Sequence, residues 1–137
     1  CTGGLSCLKC EGSCYFKDDM SIISKWTNDC QLIIYITRVK YGCFDIPFKK
    51  MLERLVVNHE PYYTMVDGET CHLGLSQLRK KLLVIGYGQA TDAEKKLFKD
   101  ILDDSTLGFS YSSVDAYFCE EDELDEVLRT FGGVDLG

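Results

Sequence analysis

The sequence predicts an α/β protein built on a parallel sheet, and three observations carry that expectation. Leu32-Ile33-Ile34-Tyr35-Ile36 is an unbroken apolar run, β-branched and aromatic, the composition of a strand buried on both faces. Leu82-Leu83-Val84-Ile85 repeats the pattern later in the chain. Around these runs apolar residues recur at helical spacing, so strands alternate with helices as in right-handed βαβ units.

Taken in order, Asp18 and Asp19 offer side-chain oxygens to cap a short helix with Met20, Ile23 and Trp26 on its inner side, and Asn28-Asp29 ends it. The opening strand is expected over about residues 31–37, running into a polar loop, Thr37–Gly42. In open α/β sheets ligands bind at the carboxyl ends of the strands, which makes this loop the first place to seek a cofactor. Asp45 and Pro47 start the next helix, with Phe48, Met51, Leu52, Leu55 and Val56 along one face, and His59-Glu60-Pro61 terminates it. Residues 61–77, punctuated by Pro61, Asp67-Gly68 and Gly74, read as loop with a helical turn near Leu75–Leu78. The second strand ends in Gly86-Tyr87-Gly88. Thr91-Asp92-Ala93-Glu94 is a capping box before a helix that buries Ala93, Leu97, Phe98, Ile101 and Leu102. Val114–Cys119 is the third strand, and a last helix from about Glu121 packs Leu124, Val127, Leu128 and Phe131 before Gly132-Gly133. Three parallel strands make a thin sheet. The opening strand looks central, yet nothing in the chain is left to pair with its free side, so a missing portion or a partner chain is expected to cover that edge.

With 137 residues the chain is read as a single domain spanning 1–137. A net charge of −7 argues against a nucleic-acid surface, and Arg79-Lys80-Lys81 reads as the solvated approach to a strand. No apolar run approaches the ~20 residues of a membrane span. The first twenty residues carry cysteines, glycines and charges in place of a signal-peptide core, so a cytoplasmic location is expected. In that setting the eight cysteines are read as reduced thiols, some of them metal ligands, in preference to a disulfide framework. The chain opens at Cys1 and not at Met, the expectation being a processed start or a piece of a longer protein. His59 reads as a helix C-terminal residue, where the dipole favours a cation, His72 as a surface histidine, and Cys30, Cys43, Cys71 and Cys119 as small core residues. Tyr62-Tyr63 and Met65 suit either a pocket lining or ordinary packing.

The most specific stretch is Cys1–Met20, CTGGLSCLKCEGSCYFKDDM. Together with the residues after Met20, it resembles the flavodoxin-like NADPH-dependent FMN reductase family, especially its iron–sulfur flavoprotein branch. Cys1, Cys7 and Cys14 fall on the first, third and fourth cysteine positions of that branch, Gly4 stands at the second, and Lys17-Asp18-Asp19-Met20 matches as written. The likeness continues through Asp29, Thr37 of the family's T-P-x-Y loop, Lys50 with Glu53-Arg54, Gly68-Glu69 and Gly86-Tyr87-Gly88, covering residues 1 to about 90. It implies a three-layer flavodoxin-like parallel sheet lacking its first βαβ portion. It implies FMN, with the ring seated by Thr37, Arg38, Val39, Lys40 and Tyr41 and by Gly86, Tyr87 and Gly88. It also implies an iron–sulfur cluster on Cys1, Cys7, Cys10 and Cys14, with Cys10 replacing the missing ligand. A three-thiolate site, a single zinc, or idle inherited cysteines remain alternatives. The activity implied is an FMN-dependent oxidoreductase in which NAD(P)H reduces the flavin and a small acceptor takes the electrons, working as a homo-oligomer. Arg38 in place of the family's Pro, Lys40 in place of its Tyr, and the missing glycine-rich phosphate loop favour a different class: a cofactor-free flavodoxin-like module acting by protein association.

Overall fold

The structure, a computed structural model, describes residues 6–9, 13–105 and 111–131. In chain order these form α1 (Met20–Asp29), β1 (Leu32–Lys40), β2 (Cys43–Phe44), α2 (Ile46–Arg54), a 3-10 turn (Leu55–Asn58), β3 (His59–Val66) and β4 (Glu69–Gly74). They continue with β5 (Lys80–Tyr87), α3 (Asp92–Ser105), β6 (Tyr111–Cys119), a 3-10 turn (Glu121–Glu123) and α4 (Leu124–Phe131). A further 3-10 turn lies at Ser6–Lys9.

The protein is α/β, and its main sheet is mixed, in the order β2-β1-β5-β6. The three apolar runs are its parallel strands: Leu32–Arg38 pairs with Lys81–Tyr87, and β5 pairs in turn with β6. Because side chains alternate across a strand, each parallel row belongs to one face. Ile33, Tyr35, Val39, Leu82, Val84, Val114, Ala116 and Phe118 share the face that meets α2 and α3, where Phe98 and Leu102 complete the main core. Aromatic rings knit it: Phe44 stacks on Phe48 at 5.2 Å, and Phe98 lies 4.8 Å from Phe44. The opposite face carries Ile34, Ile36, Leu83, Ile85 and Tyr117, and α4 reaches it where Phe131 meets Tyr117 edge-on at 5.6 Å.

Two departures from the expected layout come from turn chemistry. Thr37–Lys40 is not a loop: β1 runs on to Lys40 and folds back on β2 through Tyr41 (φ 53°) and Gly42 (φ 71°). That positive-φ pair is what a two-residue hairpin requires. Residues 59–74 are not a loop either but a β3–β4 hairpin, turned at Asp67 (φ 51°) and Gly68 (φ 89°). Asp-Gly between β-branched and aromatic residues is a hairpin signal, and the breaker reading of Pro61 and Gly74 masked it.

Helix α1 is tied down by polar groups. Ser24 Oγ donates to Asn58 Oδ1, and Asn58 Nδ2 donates back to the Ser24 carbonyl at 3.1 Å, both residues being buried. Lys80 is not solvated as expected. It is 5% exposed, and its ammonium donates to the Thr27 carbonyl at 2.7 Å, a cation at the helix C-terminus where the dipole favours one. With that side of α1 built from Ser24, Thr27 and Met20, Trp26 faces solvent, against the sequence expectation. Ala93 and Leu97 also lie exposed on α3, and Cys30 is exposed while Cys119 is buried and Cys43 and Cys71 half-buried. His59 is half-buried at the start of β3, where burial and the neighbouring His72 lower its pKa. No described helix is long and apolar enough to cross a membrane.

Candidate functional site

β1, β5 and β6 run parallel and therefore end on the same side, at Lys40, Tyr87 and Cys119. Beyond those ends lies a crevice of about 620 Å³ lined by Arg38, Val39, Lys40, Gly88, Gln89 and the acidic run Glu120-Glu121-Asp122. Its size falls in the range of small-molecule sites, at the position where α/β sheets bind ligands. Gly88 has φ 95°, and its N–H donates to the Cys119 carbonyl at 3.1 Å, so the chain leaves β5 sharply and opens the floor of the crevice. Across it the Arg38 guanidinium pairs with Glu121 and rests 5.3 Å over the Tyr87 ring. Lys40, exposed at the rim, has no ion-pair partner among the described residues.

The structure divides the residues expected to seat a flavin ring. Arg38, Val39, Lys40 and Gly88 converge on the crevice, and Tyr87 lies beneath Arg38. Thr37 and Gly86 belong to the core face instead. Thr37 is buried beside Asp45, whose N–H approaches its hydroxyl at 3.4 Å. A Cβ on Gly86 would lie 2.8 Å from Val39 Cγ2 and 3.0 Å from the Phe118 ring, so this glycine serves strand packing. Tyr41, 89% exposed, sits on the hairpin turn and lines a separate depression of about 590 Å³ with Ile46, Lys49 and again Lys40. Sequence reasoning missed Gln89 and Glu120–Asp122. The one signal for them was position: an acidic run placed directly after a third parallel strand must border the crevice.

No family model, curated protein or solved structure matches this chain.

FMN combines a flat ring with a phosphate dianion, and the crevice suits the two unequally. The open floor at Gly88 and the cations Arg38 and Lys40 suit the ring. The phosphate is opposed by three carboxylates, and Arg38 is already neutralised by Glu121. Helix N-termini, the usual phosphate cradles, are filled by the chain's own carboxylates. Asp18 accepts from Met20 N–H at 3.2 Å, Asp45 from Phe48 N–H at 3.1 Å, Glu94 from Thr91 N–H at 2.9 Å and Glu123 from Glu120 N–H at 3.0 Å. Glu94 lies in the first turn of α3, and its hydrogen bonds to Thr91 hold its pKa low.

Of the expected metal ligands, Cys7 and Cys14 are described, and Cys1 and Cys10 lie outside the described residues. Among the described residues no group of three His, Cys, Asp or Glu side chains converges as a metal site. Cys14 Sγ lies 3.9 Å from the Arg54 guanidinium, which also grips Asp18 through two 2.8 Å bonds and holds that carboxyl below the usual range. Arg54 thereby fastens the cysteine segment to α2. Lys17-Asp18-Asp19-Met20 is thus a helix entry with a tether. His72 rests against the Tyr63 ring at 4.1 Å, its Nδ1 2.9 Å from the Glu60 carbonyl, so it stiffens the β3–β4 hairpin.

Proposed function

We propose that the protein contributes the ring side of an FMN-dependent oxidoreductase of the flavodoxin-like NADPH-dependent FMN reductase type. The observation that carries this reading is the convergence of Arg38, Val39, Lys40 and Gly88 on one crevice at the carboxyl ends of the parallel strands. The family motifs Thr37–Tyr41 and Gly86–Gly88 supply the choice of ligand. Bound there, a flavin would exchange a hydride with NAD(P)H and pass electrons to a small acceptor. Gly88 would bound the ring, Arg38 on Tyr87 would fix one wall, and Lys40 would place a positive charge where a reduced ring carries negative charge. The phosphate must be held by groups other than the carboxylate-capped helix ends. The cysteine segment enters as an extension of the reading, a cluster on Cys1, Cys7, Cys10 and Cys14. Six described cysteines are free thiols, which suits a reducing cytoplasm.

The test is a visible spectrum of anaerobically purified protein before and after adding FMN and desalting. A shifted flavin band, lost in Lys40→Glu, supports the reading; an unshifted band that elutes entirely with free FMN sinks it. The second reading, a cofactor-free module acting by association, is favoured by the acidic rim and by the uncovered isoleucines of β1.

A further inference from the structure

Three strand ends meet at the crevice, and one side chain links them all. Arg38 and Lys40 stand two residues apart on β1, so both project from the face opposite the core. The Arg38 side chain runs from β1 over the end of β5. A Cβ on Gly88 would stand 3.6 Å from its Cγ and 3.9 Å from Nη1, and its guanidinium lies 5.3 Å over the Tyr87 ring. Beyond β6, Arg38 Nη2 donates to Glu121 Oε1, 83 residues away in sequence. Tyr87 and Gly88 thus seat the guanidinium independently of its carboxylate partner. Lys40, exposed at the same rim, adds a second positive charge that has no ion-pair partner among the described residues.

The fold does not need Glu121 where it stands. The turn that carries it is closed by its neighbours: Glu120 N–H donates to the Glu123 carboxylate at 3.0 Å, and Glu123 N–H to the Glu120 carbonyl at 3.2 Å. Its ion pair with Arg38 is open to water, the two side chains being 60% and 34% exposed, and pairs of that kind contribute little to stability. A dispensable carboxylate therefore rests on a guanidinium held by other groups, beside a crevice of about 620 Å³. The guanidinium fork matches a planar carboxylate, one N–H to each oxygen. Charge narrows the class further. Once Glu121 swings aside, Glu120 and Asp122 still line the crevice, so a phosphate dianion meets twice the repulsion that a monoanion does.

We propose that Arg38 and Lys40 form a binding site for a small organic monocarboxylate, and that Glu121 occupies it as an intramolecular stand-in which the ligand displaces. The site is self-closed: the ligand carboxylate takes the place of the Glu121 carboxylate on Arg38, and Lys40 supplies attraction that Glu121 leaves unused. The inference does not rest on the flavin reading, and its test contains no FMN, so the two fail separately.

The probe is benzoate, titrated into the full chain at constant ionic strength and followed by amide chemical shifts, with neutral benzamide and inorganic phosphate as comparisons. Benzoate is expected to move the amides of Arg38, Lys40 and Gly88 together with those of the turn carrying Glu121. Glu121→Gln keeps the shape and removes the charge, and it is expected to tighten benzoate about two- to fivefold. Arg38→Gln is expected to weaken it about tenfold or more, and Lys40→Gln by less. All three positions reach solvent, and each variant is checked for an unchanged thermal midpoint. Benzoate that binds Glu121→Gln no more tightly than the parent overturns the stand-in role. Benzamide or phosphate binding as tightly as benzoate overturns the monocarboxylate class. Amides that stay unmoved in both the parent and Glu121→Gln overturn the site itself.

Discussion

The two faces of the sheet use similar residues to opposite effect. On the α2–α3 face Phe98 and Val84 are wholly buried and Ile33 and Tyr35 nearly so. On the α4 face Ile85 is wholly buried, but Ile34 and Ile36, on the neighbouring strand, remain open to water. The strand composition is the same; the covering layer differs. α2 and α3 pack on the sheet from β2 across to β6, whereas α4 is a short helix whose Phe131 sits on Tyr117 of β6. Apolar composition therefore announces that a strand is meant to be covered, without saying that its own chain does the covering.

The comparison breaks most visibly at Phe98. Phe98→Ala should lower unfolding free energy by about 3–5 kcal/mol, since the ring fills the space between Phe44 and Phe118. On the other face Ile85→Val should cost about 0.5–1.5 kcal/mol, as a wholly buried side chain requires. Urea titrations of both variants measure these losses. Ile36→Ser should fall within about 0.5 kcal/mol of the parent; a loss comparable to that of Ile85 would mean that the open face is closed in solution.

Titration probes the closed layer and the β3–β4 hairpin in turn. Tyr35 and Tyr111 share a hydrogen bond in the closed layer, and burial raises the pKa of both. A raised folded pKa means that the folded chain keeps phenolic protons which the unfolded chain releases above about pH 10. The associated stability is complete below that pH and declines as pH rises toward the folded values. Tyr35→Phe should flatten the fall of the urea midpoint between neutral and strongly alkaline pH. At the other end of the scale, the lowered pKa of His59 means that stability is complete above the ordinary histidine pKa and declines as pH falls through it. His59→Gln should remove the small loss of midpoint between mildly acidic and neutral pH.

The parallel strands were readable because buried strands must be apolar throughout, as in Leu32–Ile36 and Leu82–Ile85. The helix entries at Asp45 and Thr91–Glu94 were readable because capping depends on local sequence alone. The β3–β4 hairpin was missed although its Asp67-Gly68 turn is a short-range signal, because its Tyr62, Tyr63 and Met65 alternate with nothing clearly apolar and all lie exposed. Lys80 could not be placed, since its partner is a backbone carbonyl of α1, distant in sequence. Within the candidate site the sequence pointed to the strand ends that border the crevice. That Thr37 and Gly86 face the core could not be read there, because parity decides which side of a sheet a residue faces, and parity is fixed only once the register is known.

The β1–β2 turn has a thermodynamic corollary. Tyr41 and Gly42 close the hairpin in two residues, and a Cβ on Gly42 would meet Leu97 of α3 at 2.8 Å, so the turn is held against the helix behind it. The segment from Arg38 to Lys40 is consequently ordered by the strand ladder before any ligand arrives. Binding at the crevice then carries little of the entropy loss that a closing loop would impose. Calorimetry should find a heat-capacity change no larger than the ligand's own buried apolar surface accounts for.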